Sequence, residues 1–358
     1  MNQSKIEKVS IVAKDGILSC TTTVTNLSDS EPQFAFYIYR NQERIHVEWY
    51  TSNSTFEFDT NGLPGCYWVS GFATFGKELK DKANSKKVFI NSLEVTPESF
   101  PEADQTVVSY ILKSQNWNFP ALYYPSDTKA LFVLMPSAVD RQKSSLPAFH
   151  RWTWAASGFF PGNVLCLSDP TLALHDDLKL GWMLGDKDNC ATLELSDFIT
   201  NLAKAKGIAN DHIVIYGSSA GGFAALAMSA LIEGSVAVAV NPQIDATAYV
   251  FTAQVDLVSE TCFGISKEEV RRQFANRVDM TTRWASVKHS KAFLVQNTTD
   301  THHHNKHFKP FWESIGGNPD QEGISYADRH IAWVYTADGG HGPETQDMAK
   351  EIIKLLSL

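Results

Sequence analysis

Residues 212–230 read HIVIYGSSAGGFAALAMSA, and this stretch decides the fold. It begins with a short apolar run at Ile213–Tyr216, rich in β-branched residues, which predicts a buried strand. It ends with an Ala-, Leu- and Met-rich run at Phe223–Leu231, which predicts a buried helix. Between the two lies Gly217-Ser218-Ser219-Ala220-Gly221, a G-x-S-x-G motif in the strand–turn–helix context that this motif requires. The stretch therefore predicts a serine nucleophile at Ser219.

The spacing of the motif follows from its chemistry. A serine on so sharp a turn has a strained backbone conformation, so the residues two positions away on each side must be small, as Gly217 and Gly221 are. The turn projects Ser219 Oγ out of the sheet and places the Ala220 N–H at a helix N-terminus, where it would stabilise an oxyanion. A glycine-rich turn without chemistry is the alternative. A phosphate loop is disfavoured, because neither Gly-Lys-Ser/Thr nor G-x-G-x-x-G is present.

The whole chain has the composition of a globular protein. Its 358 residues leave room for one large α/β domain and one smaller domain, and 43% hydrophobic with 20% charged residues is ordinary for such a protein. The net charge of −9 argues against a nucleic-acid partner and against binding to an anionic membrane surface. The N-terminus does not resemble a secretory signal, and no apolar run reaches membrane-spanning length. We therefore expect a cytoplasmic protein without a membrane span.

The pattern at the start of the chain differs from the rest. Residues 1–92 show short alternating apolar and polar runs separated by turn residues, which predicts a small all-β sandwich acting as an accessory domain. Its aromatic residues allow two interpretations, core packing or a sugar-binding face. These aromatic residues are Trp49, Tyr50, Tyr67 and Trp68.

The second part, residues 105–358, has an α/β pattern. Apolar strand-like runs alternate with helical segments, which predicts a mostly parallel central sheet flanked by helices with right-handed crossovers. The predicted strands are residues 106–112, 121–124, 129–136, 163–169, 213–216, 235–240, 291–296 and 331–336. Residues 246–288 interrupt this alternation of strands and helices, and they form either a lid insertion over the site or a surface helix without such a role.

Three loops of this sheet supply the residue types of nucleophilic catalysis. Ligands and catalytic groups collect at the carboxyl ends of parallel strands. Asp300 follows the next-to-last predicted strand, and His341 follows the last one in a loop flanked by glycines. With Ser219 they stand in the chain order serine, acid, histidine. We predict that Asp300 orients the imidazole of His341, which takes the proton of Ser219.

Both partners of the serine have competitors. Asp245 is a competing acid because it also follows a strand, although Pro242 stiffens its loop. Asp338 lies too close in sequence to His341 for an easy approach. Asp300 is therefore favoured as the acid. His341 is preferred as the base because its position after the final strand suits the geometry. The competing histidines are His302, His303, His304 and His307.

The histidine cluster also suggests a metal site. His303 and His307 are four residues apart and would share one face of a helix, as metal ligands often do. No H-E-x-x-H motif accompanies them, and a third, carboxylate ligand is only assumed. The prediction is that the protein uses no metal.

Two further features concern the substrate. A second oxyanion donor is expected in the loop after the strand at 129–136, where Ser137 and Ala138 are both candidates and Ala138 is our choice, since no His-Gly-Gly-Gly run is present. Arg151 and Trp182 are candidate substrate-binding residues near the same end of the sheet. Arg151 would hold an acidic substrate or, alternatively, form a structural ion pair.

Several parts of the chain resemble known proteins. Residues 105–358 resemble the α/β-hydrolase fold. The residues Ile215–Gly222, Asn241-Pro242-Gln243, Asp300–His307 and Gly181-Trp182 are similar to those of bacterial hydrolase-like proteins encoded with surface-polysaccharide glycosyltransferases. That group is similar to a hydrolase-like component of the accessory Sec secretion system and to capsule O-acetyltransferases. The resemblance implies a serine-dependent enzyme that acts on acyl esters of a glycan, and leaves open whether water or a sugar hydroxyl accepts the acyl group.

The leading functional prediction is therefore an O-acetyltransferase or acetylesterase acting on a bacterial surface glycan. It would need no cofactor beyond an acyl donor, such as acetyl-CoA if the reaction is a transfer, and it would associate with polysaccharide-assembly proteins. The alternative is a non-catalytic glycan-binding or scaffold protein that keeps a hydrolase fold. An activated serine distinguishes the two predictions.

Overall fold

The chain divides into two units. The computed structural model describes residues 4–356 except 28–29, 42, 64, 77–78, 91–92, 101–107, 143 and 145. The first unit comprises residues 1–94, 107–111 and 142–147, and the second comprises 95–106, 112–141 and 148–358. The sequence predicts that the second domain begins at residue 105 and that a strand begins at Thr106, and both positions lie outside the described residues. The domain limits of 1–92 and 105–358 stay a prediction.

The strands and helices are named in chain order. The strands are β1 Lys5–Lys14, β2 Ile17–Thr25, β3 Gln33–Arg40, β4 Glu43–Thr51, β5 Thr55–Asp59, β6 Gly65–Phe75, β7 Leu79–Asn84, β8 Val88–Ile90, β9 Leu93–Val95, β10 Val108–Lys113, β11 Asn118–Tyr124, β12 Leu131–Leu134, β13 Asn163–Leu167, β14 Ile213–Ser218, β15 Val236–Val240, β16 Lys291–Asn297, β17 Gly323–Ala327 and β18 His330–Tyr335. The α-helices are α1 Trp152–Ala156, α2 Ala191–Ala205, α3 Ala220–Ser229, α4 Thr252–Val258, α5 Lys267–Gln273, α6 Ala275–Val278, α7 Met280–Trp284, α8 Thr301–His303, α9 Lys309–Ser314 and α10 Gln346–Leu356. Residues Ser259–Phe263 and His304–Phe308 form π-helical turns, and short 3₁₀ turns lie at Pro170–Leu174, Asn210–His212 and Ala246–Ala248.

The first unit consists of antiparallel sheets, as expected for an all-β domain. One has the order β1-β2-β5 and the other the order β4-β3-β6-β7, with β8 paired to β6. Alternate side chains of both sheets enter one apolar core, for example Leu18 from β2, Phe36 from β3 and Val69 from β6.

The aromatic residues of the first unit separate into buried and exposed ones. Tyr67 is completely buried in the core, and the ring of Trp68 stacks on that of Tyr39 at a centroid distance of 3.9 Å. Trp49 differs, because 66% of its surface is exposed. Tyr67 therefore packs in the core, whereas Trp49 is open to solvent, and the sugar-binding interpretation stays a prediction.

The second unit contains a mixed, mostly parallel sheet with helices between its strands. Eight strands lie wholly within this unit, in the order β17-β18-β16-β15-β14-β12-β13-β11. The six central strands, from β18 to β13, are parallel, while β11 and β17 pair antiparallel at the two ends of this series. The expected α/β fold class with an all-β first part is therefore confirmed. The antiparallel strand β17 was not predicted from the sequence.

Burial explains why the central residues form these elements. All residues of β12, β14 and β15 are buried, as continuous apolar runs in a sheet covered on both faces should be. All ten residues of α3 are buried too, and their small side chains fit the crowded space behind the sheet. Helix α2 buries one face only, through Leu195, Phe198, Ile199 and Leu202, as its periodicity predicts.

The segment at residues 246–288 forms helices α4 to α7 and one π-helical turn. Within the second unit, Arg277 of this segment donates hydrogen bonds from its guanidinium to the carbonyls of Leu184 and Asp186. Whether it acts as a lid stays a prediction. Among the described helices of the protein, none combines the length and apolar character needed to cross a bilayer.

Candidate active site

Ser219 lies on the turn between β14 and α3. Its backbone has φ 55° and ψ −119°, a strained combination for a residue with a side chain. A Cβ on Gly217 would lie 2.2 Å from the carbonyl oxygen of Gly221, and a Cβ on Gly221 would lie 2.8 Å from that of Pro136. The turn therefore requires glycine at both positions, and it directs Ser219 Oγ to the carboxyl end of the sheet.

Ser219, His341 and Asp300 form a chain of hydrogen bonds. His341 Nε2 lies 2.9 Å from Ser219 Oγ, and His341 Nδ1 lies 2.6 Å from Asp300 Oδ2. Burial raises the pKa of the Asp300 carboxyl, but hydrogen bonds from His303 and His341 outweigh it and hold the pKa well below its usual range. The ionised carboxylate can only accept, so His341 carries its proton on Nδ1 and Nε2 is free to accept the proton of Ser219.

Two buried asparagines hold the His341 loop in place. Asn241, directly after β15, donates from Nδ2 to the carbonyl of Gly342 at 2.7 Å. Asn297, the last residue of β16, donates from Nδ2 to the carbonyl of Gly340 at 2.9 Å. The backbone on both sides of His341 is thus fixed by side chains from the two neighbouring strands, which aligns the imidazole with Ser219.

Asp245, the alternative acid, has different partners. Its Oδ1 accepts hydrogen bonds from the Thr247 N–H and hydroxyl, and its Oδ2 lies 2.9 Å from Nη1 of Arg271. Burial raises the pKa of Asp245, against the opposing effects of Thr247 and Arg271. The structure therefore brings Asp300, rather than Asp245, to His341.

The expected oxyanion donors lie on two loops. The Ala220 N–H is the first of helix α3 and needs no intrahelical partner. The Ser137 N–H donates to Nδ1 of His150 at 3.2 Å and is therefore already used. Ala138 is exposed, and no hydrogen bond within the described residues uses its N–H. Of the two candidates in this loop, Ala138 has the available donor.

Arg151 forms an internal ion pair. Its Nε and Nη2 donate to the two carboxylate oxygens of Glu344 at 2.7 and 2.6 Å, and Tyr216 Oη donates to the same carboxylate at 2.8 Å. Only 7% of the Arg151 side chain is exposed. The structure thus places Arg151 in the ion pair that was the alternative to a substrate contact, and the expected substrate role lacks the exposed guanidinium that it needs.

Trp182 is also buried, with 2% exposure, so its indole is not open to a ligand. Its Nε1 donates to Oε1 of Gln243 at 3.0 Å. The loop around it has positive φ values at Trp182 and Met183, and Asp169 holds it by accepting the Met183 N–H at 3.0 Å. In this structure Trp182 contacts Gln243, and its expected role in substrate binding lacks the exposed ring that it needs.

The histidine cluster lies beside the triad. The ring of His303 stacks on that of His341 at a centroid distance of 4.1 Å, and its Nδ1 lies 2.9 Å from Asp300 Oδ1. His307 is fully buried, and its Nδ1 accepts the Ile244 N–H at 3.1 Å. Burial lowers the pKa of His307 to about 3, so this imidazole is neutral at physiological pH.

The same cluster offers ligand atoms for a metal. Asp300, His303 and His341 have ligand atoms within 4.8 Å of one another. Both oxygens of Asp300 are, however, hydrogen-bonded to the two imidazoles at 2.6 and 2.9 Å, and a hydrogen-bond proton occupies each of these contacts. The arrangement is that of a carboxylate between two histidine donors. His303 and His307, the pair suggested by their spacing, bind Asp300 and the Ile244 N–H through their Nδ1 atoms.

Two contacts next to the triad were not predicted from the sequence. Gln243 Nε2 lies 2.8 Å from Ser219 Oγ, and His303 occupies the second oxygen of Asp300. The signal for Gln243 was its position three residues after the end of the central strand β15, where a side chain can reach the site. His303 was considered as a base and, with His307, as a metal ligand, but nothing in the sequence indicated its hydrogen bond to Asp300.

No protein-family model matches this chain, and no curated protein sequence does either. Among solved structures, the capsule O-acetyltransferase of Neisseria meningitidis serogroup A aligns with a TM-score of 0.52 and 14% identity, over 71% of this chain and 98% of that one. A chain of the glycosylation associate protein (Gap123) complex from Streptococcus agalactiae aligns with a TM-score of 0.50 and 13% identity, over 99% of this chain and 71% of that one. At such identities the likeness concerns the fold alone. The strand order, the serine turn and these neighbours together identify the second unit as an α/β-hydrolase fold.

Proposed function

We propose that this protein is a serine-dependent enzyme that transfers an acyl group from an ester or thioester to a hydroxyl, either of a sugar or of water. The observation that carries the proposal is the alignment of the three groups: Ser219 Oγ is 2.9 Å from His341 Nε2, and His341 Nδ1 is 2.6 Å from Asp300 Oδ2. These distances are in the range needed for proton transfer from the serine in the resting enzyme.

The reaction would proceed in two steps. In the first, Ser219 Oγ attacks the acyl carbonyl carbon, its proton passes to His341 Nε2, and that proton then goes to the departing alcohol or thiol. The N–H groups of Ala220 and Ala138 stabilise the negative charge on the carbonyl oxygen. In the second step, the accepting hydroxyl gives its proton to His341 and attacks the acyl-enzyme, and Ser219 recovers the proton as the C–Oγ bond breaks. Asp300 stabilises the imidazolium in both steps.

We further propose that the accepting hydroxyl belongs to a bacterial surface glycan, with a donor such as acetyl-CoA in the case of transfer. The names of the two structural neighbours, a capsule O-acetyltransferase and a glycosylation associate protein complex, support this choice. So does the position of the base, because the His341 side chain is 38% exposed and a large acceptor can approach it. Release of free acetate without a glycan acceptor would indicate hydrolysis, and labelled acetyl groups on the glycan would indicate transfer.

The test of the proposal is a pair of neighbouring serine variants assayed with p-nitrophenyl acetate. Ser219→Ala removes the nucleophile, so turnover should fall to the background rate while the melting temperature stays near that of the wild type. Ser218→Ala is the matched control, since Ser218 precedes the turn, and it should keep turnover within a few-fold. Full turnover by folded Ser219→Ala would overturn the proposal.

Trp49 favours a second candidate function, a glycan-binding or scaffold protein that associates with polysaccharide-assembly proteins. Its indole is 66% exposed on β4, and a large exposed aromatic ring often marks a recognition surface. If this candidate is correct, Trp49→Ala should weaken binding to the glycan, whereas Ser219→Ala should leave every measurable property unchanged. The first candidate function predicts instead that Ser219→Ala abolishes turnover and that Trp49→Ala leaves turnover unchanged.

A further inference from the structure

Gln243 has its amide orientation fixed by its surroundings. The side chain is completely buried, and its two ends face different partners. Trp182 Nε1 lies 3.0 Å from Oε1, and because an indole N–H can only donate, the oxygen of Gln243 must face it. The amide nitrogen therefore faces the site, 2.8 Å from Ser219 Oγ and 3.2 Å from His303 Nε2. Its two N–H groups are thus available to donate to these two atoms.

The tautomer of His303 follows from this orientation. Its Nε2 must accept the hydrogen bond of Gln243, so its single proton is on Nδ1, which donates to Asp300 Oδ1 at 2.9 Å. Burial lowers the pKa of His303, against the opposing effect of Asp300, and this favours the same neutral form. Each hydrogen bond in the group then has one donor and one acceptor.

These contacts close a ring of five side chains. Ser219 donates to His341, His341 donates to Asp300, and His303 donates to the other oxygen of Asp300. Gln243 completes the ring by donating to both His303 and Ser219. The triad therefore supplies three of the five members of a closed network, and the nucleophile both donates one hydrogen bond and accepts one.

We propose that Gln243 is a catalytic residue that donates a hydrogen bond to the nucleophile throughout the reaction, and that His303 is a positioning residue that fixes Gln243 and Asp300. The proposal rests on the proposed function, because it assigns roles around the same serine. It adds a hydrogen-bond donor on Ser219 Oγ itself, distinct from the oxyanion donors, which act on the substrate oxygen.

The role of Gln243 follows the charge on Ser219 Oγ. When Oγ attacks the acyl carbon and loses its proton to His341, negative charge develops on Oγ until the new C–O bond forms. When the acyl-enzyme breaks down, the electron pair of the C–Oγ bond returns to Oγ, which takes the proton back from His341. The Gln243 N–H stabilises Oγ at both moments, and it is in place before the reaction starts.

The test begins with Gln243→Met, which has similar length and no hydrogen-bonding group. Removal of one preorganised donor should lower kcat with p-nitrophenyl acetate about ten- to hundredfold, with KM changed less than about threefold, because Gln243 contacts Oγ and not the ester. The rate of inactivation by a fluorophosphonate should fall by a similar factor, since that reagent reports only the attack by Oγ. Wild-type values of both rates in folded Gln243→Met would overturn the proposal.

A second variant covers the case in which Gln243→Met does not fold. Gln243→Glu keeps the size of the side chain and an acceptor for Trp182, but its carboxylate accepts the Ser219 proton in competition with His341 and donates nothing to Oγ. Its kcat should fall at least tenfold at pH 7.5. A kcat near that of the wild type in this variant would contradict the role of Gln243 as firmly.

His303 is tested by rescue. His303→Gln keeps a donor for Asp300 and an acceptor for Gln243, so kcat should stay within about fivefold of the wild type. His303→Phe keeps only the bulk of the ring, and its kcat should fall tenfold or more at unchanged KM. Equal kcat in the two variants would show that His303 acts only by packing. The wild type serves as the reference in every assay. If the wild type neither turns over ester nor labels at Ser219, the proposed function fails. If the wild type is active and the Gln243 and His303 variants are equally active, only this inference is refuted.

Discussion

The most informative single substitution is Asp300→Asn, because both carboxylate oxygens of Asp300 are used. Oδ2 accepts from His341 Nδ1 at 2.6 Å and Oδ1 accepts from His303 Nδ1 at 2.9 Å. An asparagine has one oxygen and one NH₂ group, so one histidine must face a donor and move its proton to Nε2. If this is His341, its Nε2 can no longer accept the proton of Ser219. If it is His303, its Nε2–H opposes the N–H of Gln243.

The expected loss can be estimated from these alternatives. The variant also loses the charge that stabilises the His341 imidazolium, so kcat should fall by about 10³ to 10⁴; the upper value is that of the same change in serine proteases. A fall of 10⁴ corresponds to about 5.4 kcal/mol of transition-state stabilisation. The assay is p-nitrophenyl acetate turnover under saturating conditions, and the change should appear in kcat more than in KM.

Asp245→Asn is the matched control for Asp300→Asn. Asp245 follows the neighbouring strand, but its oxygens bind Thr247 and Arg271 and not His341. Its kcat should therefore remain within about threefold of the wild type. If the two variants rank in the opposite order while both remain folded, Asp245 is the acid of the triad and the assignment of Asp300 is wrong.

Three further predictions concern stability and folding. Burial lowers the pKa values of His307 and His330 to about 3 and about 4, so both imidazoles bind protons more readily in the unfolded chain, and the free energy of unfolding should fall as the pH drops below about 6.5. Between pH 7.5 and pH 5.5, each histidine should lower the free energy of unfolding, measured in urea, by about 1.4 kcal/mol. The decrease between these two pH values should therefore be about 1.4 kcal/mol smaller in His330→Gln than in the wild type. Gly217→Ala should prevent soluble expression or abolish turnover, because its Cβ would lie 2.2 Å from a backbone oxygen; a folded, active protein would contradict the turn geometry. Glu344→Gln should cost about 3–5 kcal/mol in urea unfolding, because it leaves the buried guanidinium of Arg151 without a counter-charge, and a loss below about 1 kcal/mol would show that this pair is dispensable.

The parts of the site that the sequence predicts are those that local rules determine. Within the G-x-S-x-G turn, glycine is required at position 217 by the carbonyl of Gly221, so the motif can be recognised in one stretch, although glycine at 221 is also required by the distant Pro136. Asp300 and His341 can be predicted because the carboxyl ends of parallel strands meet at one edge of a sheet. The choice between Asp300 and Asp245 could only be ranked, since both follow a strand, and the side-chain contacts distinguish them.

The remaining contacts depend on side-chain orientation across long sequence distances. Arg151 and Glu344 are separated by 193 residues, and no local pattern indicates that they pair. Gln243 was noted only as part of Asn241-Pro242-Gln243, because its role depends on Trp182, which fixes the direction of its amide. Strand β17 was missed, since its burial is partial and it shows no strong apolar run.

The most direct test of the central claim is labelling of the wild-type protein with a fluorophosphonate, followed by peptide mass spectrometry. Such reagents react with a serine whose proton is taken by a neighbouring base, and the structure provides that base for Ser219 through His341 Nε2 at 2.9 Å. The account predicts stoichiometric labelling on the peptide that contains Ser219, lost in Ser219→Ala and strongly slowed in Asp300→Asn. A folded wild-type protein that remains unlabelled at Ser219 would contradict it.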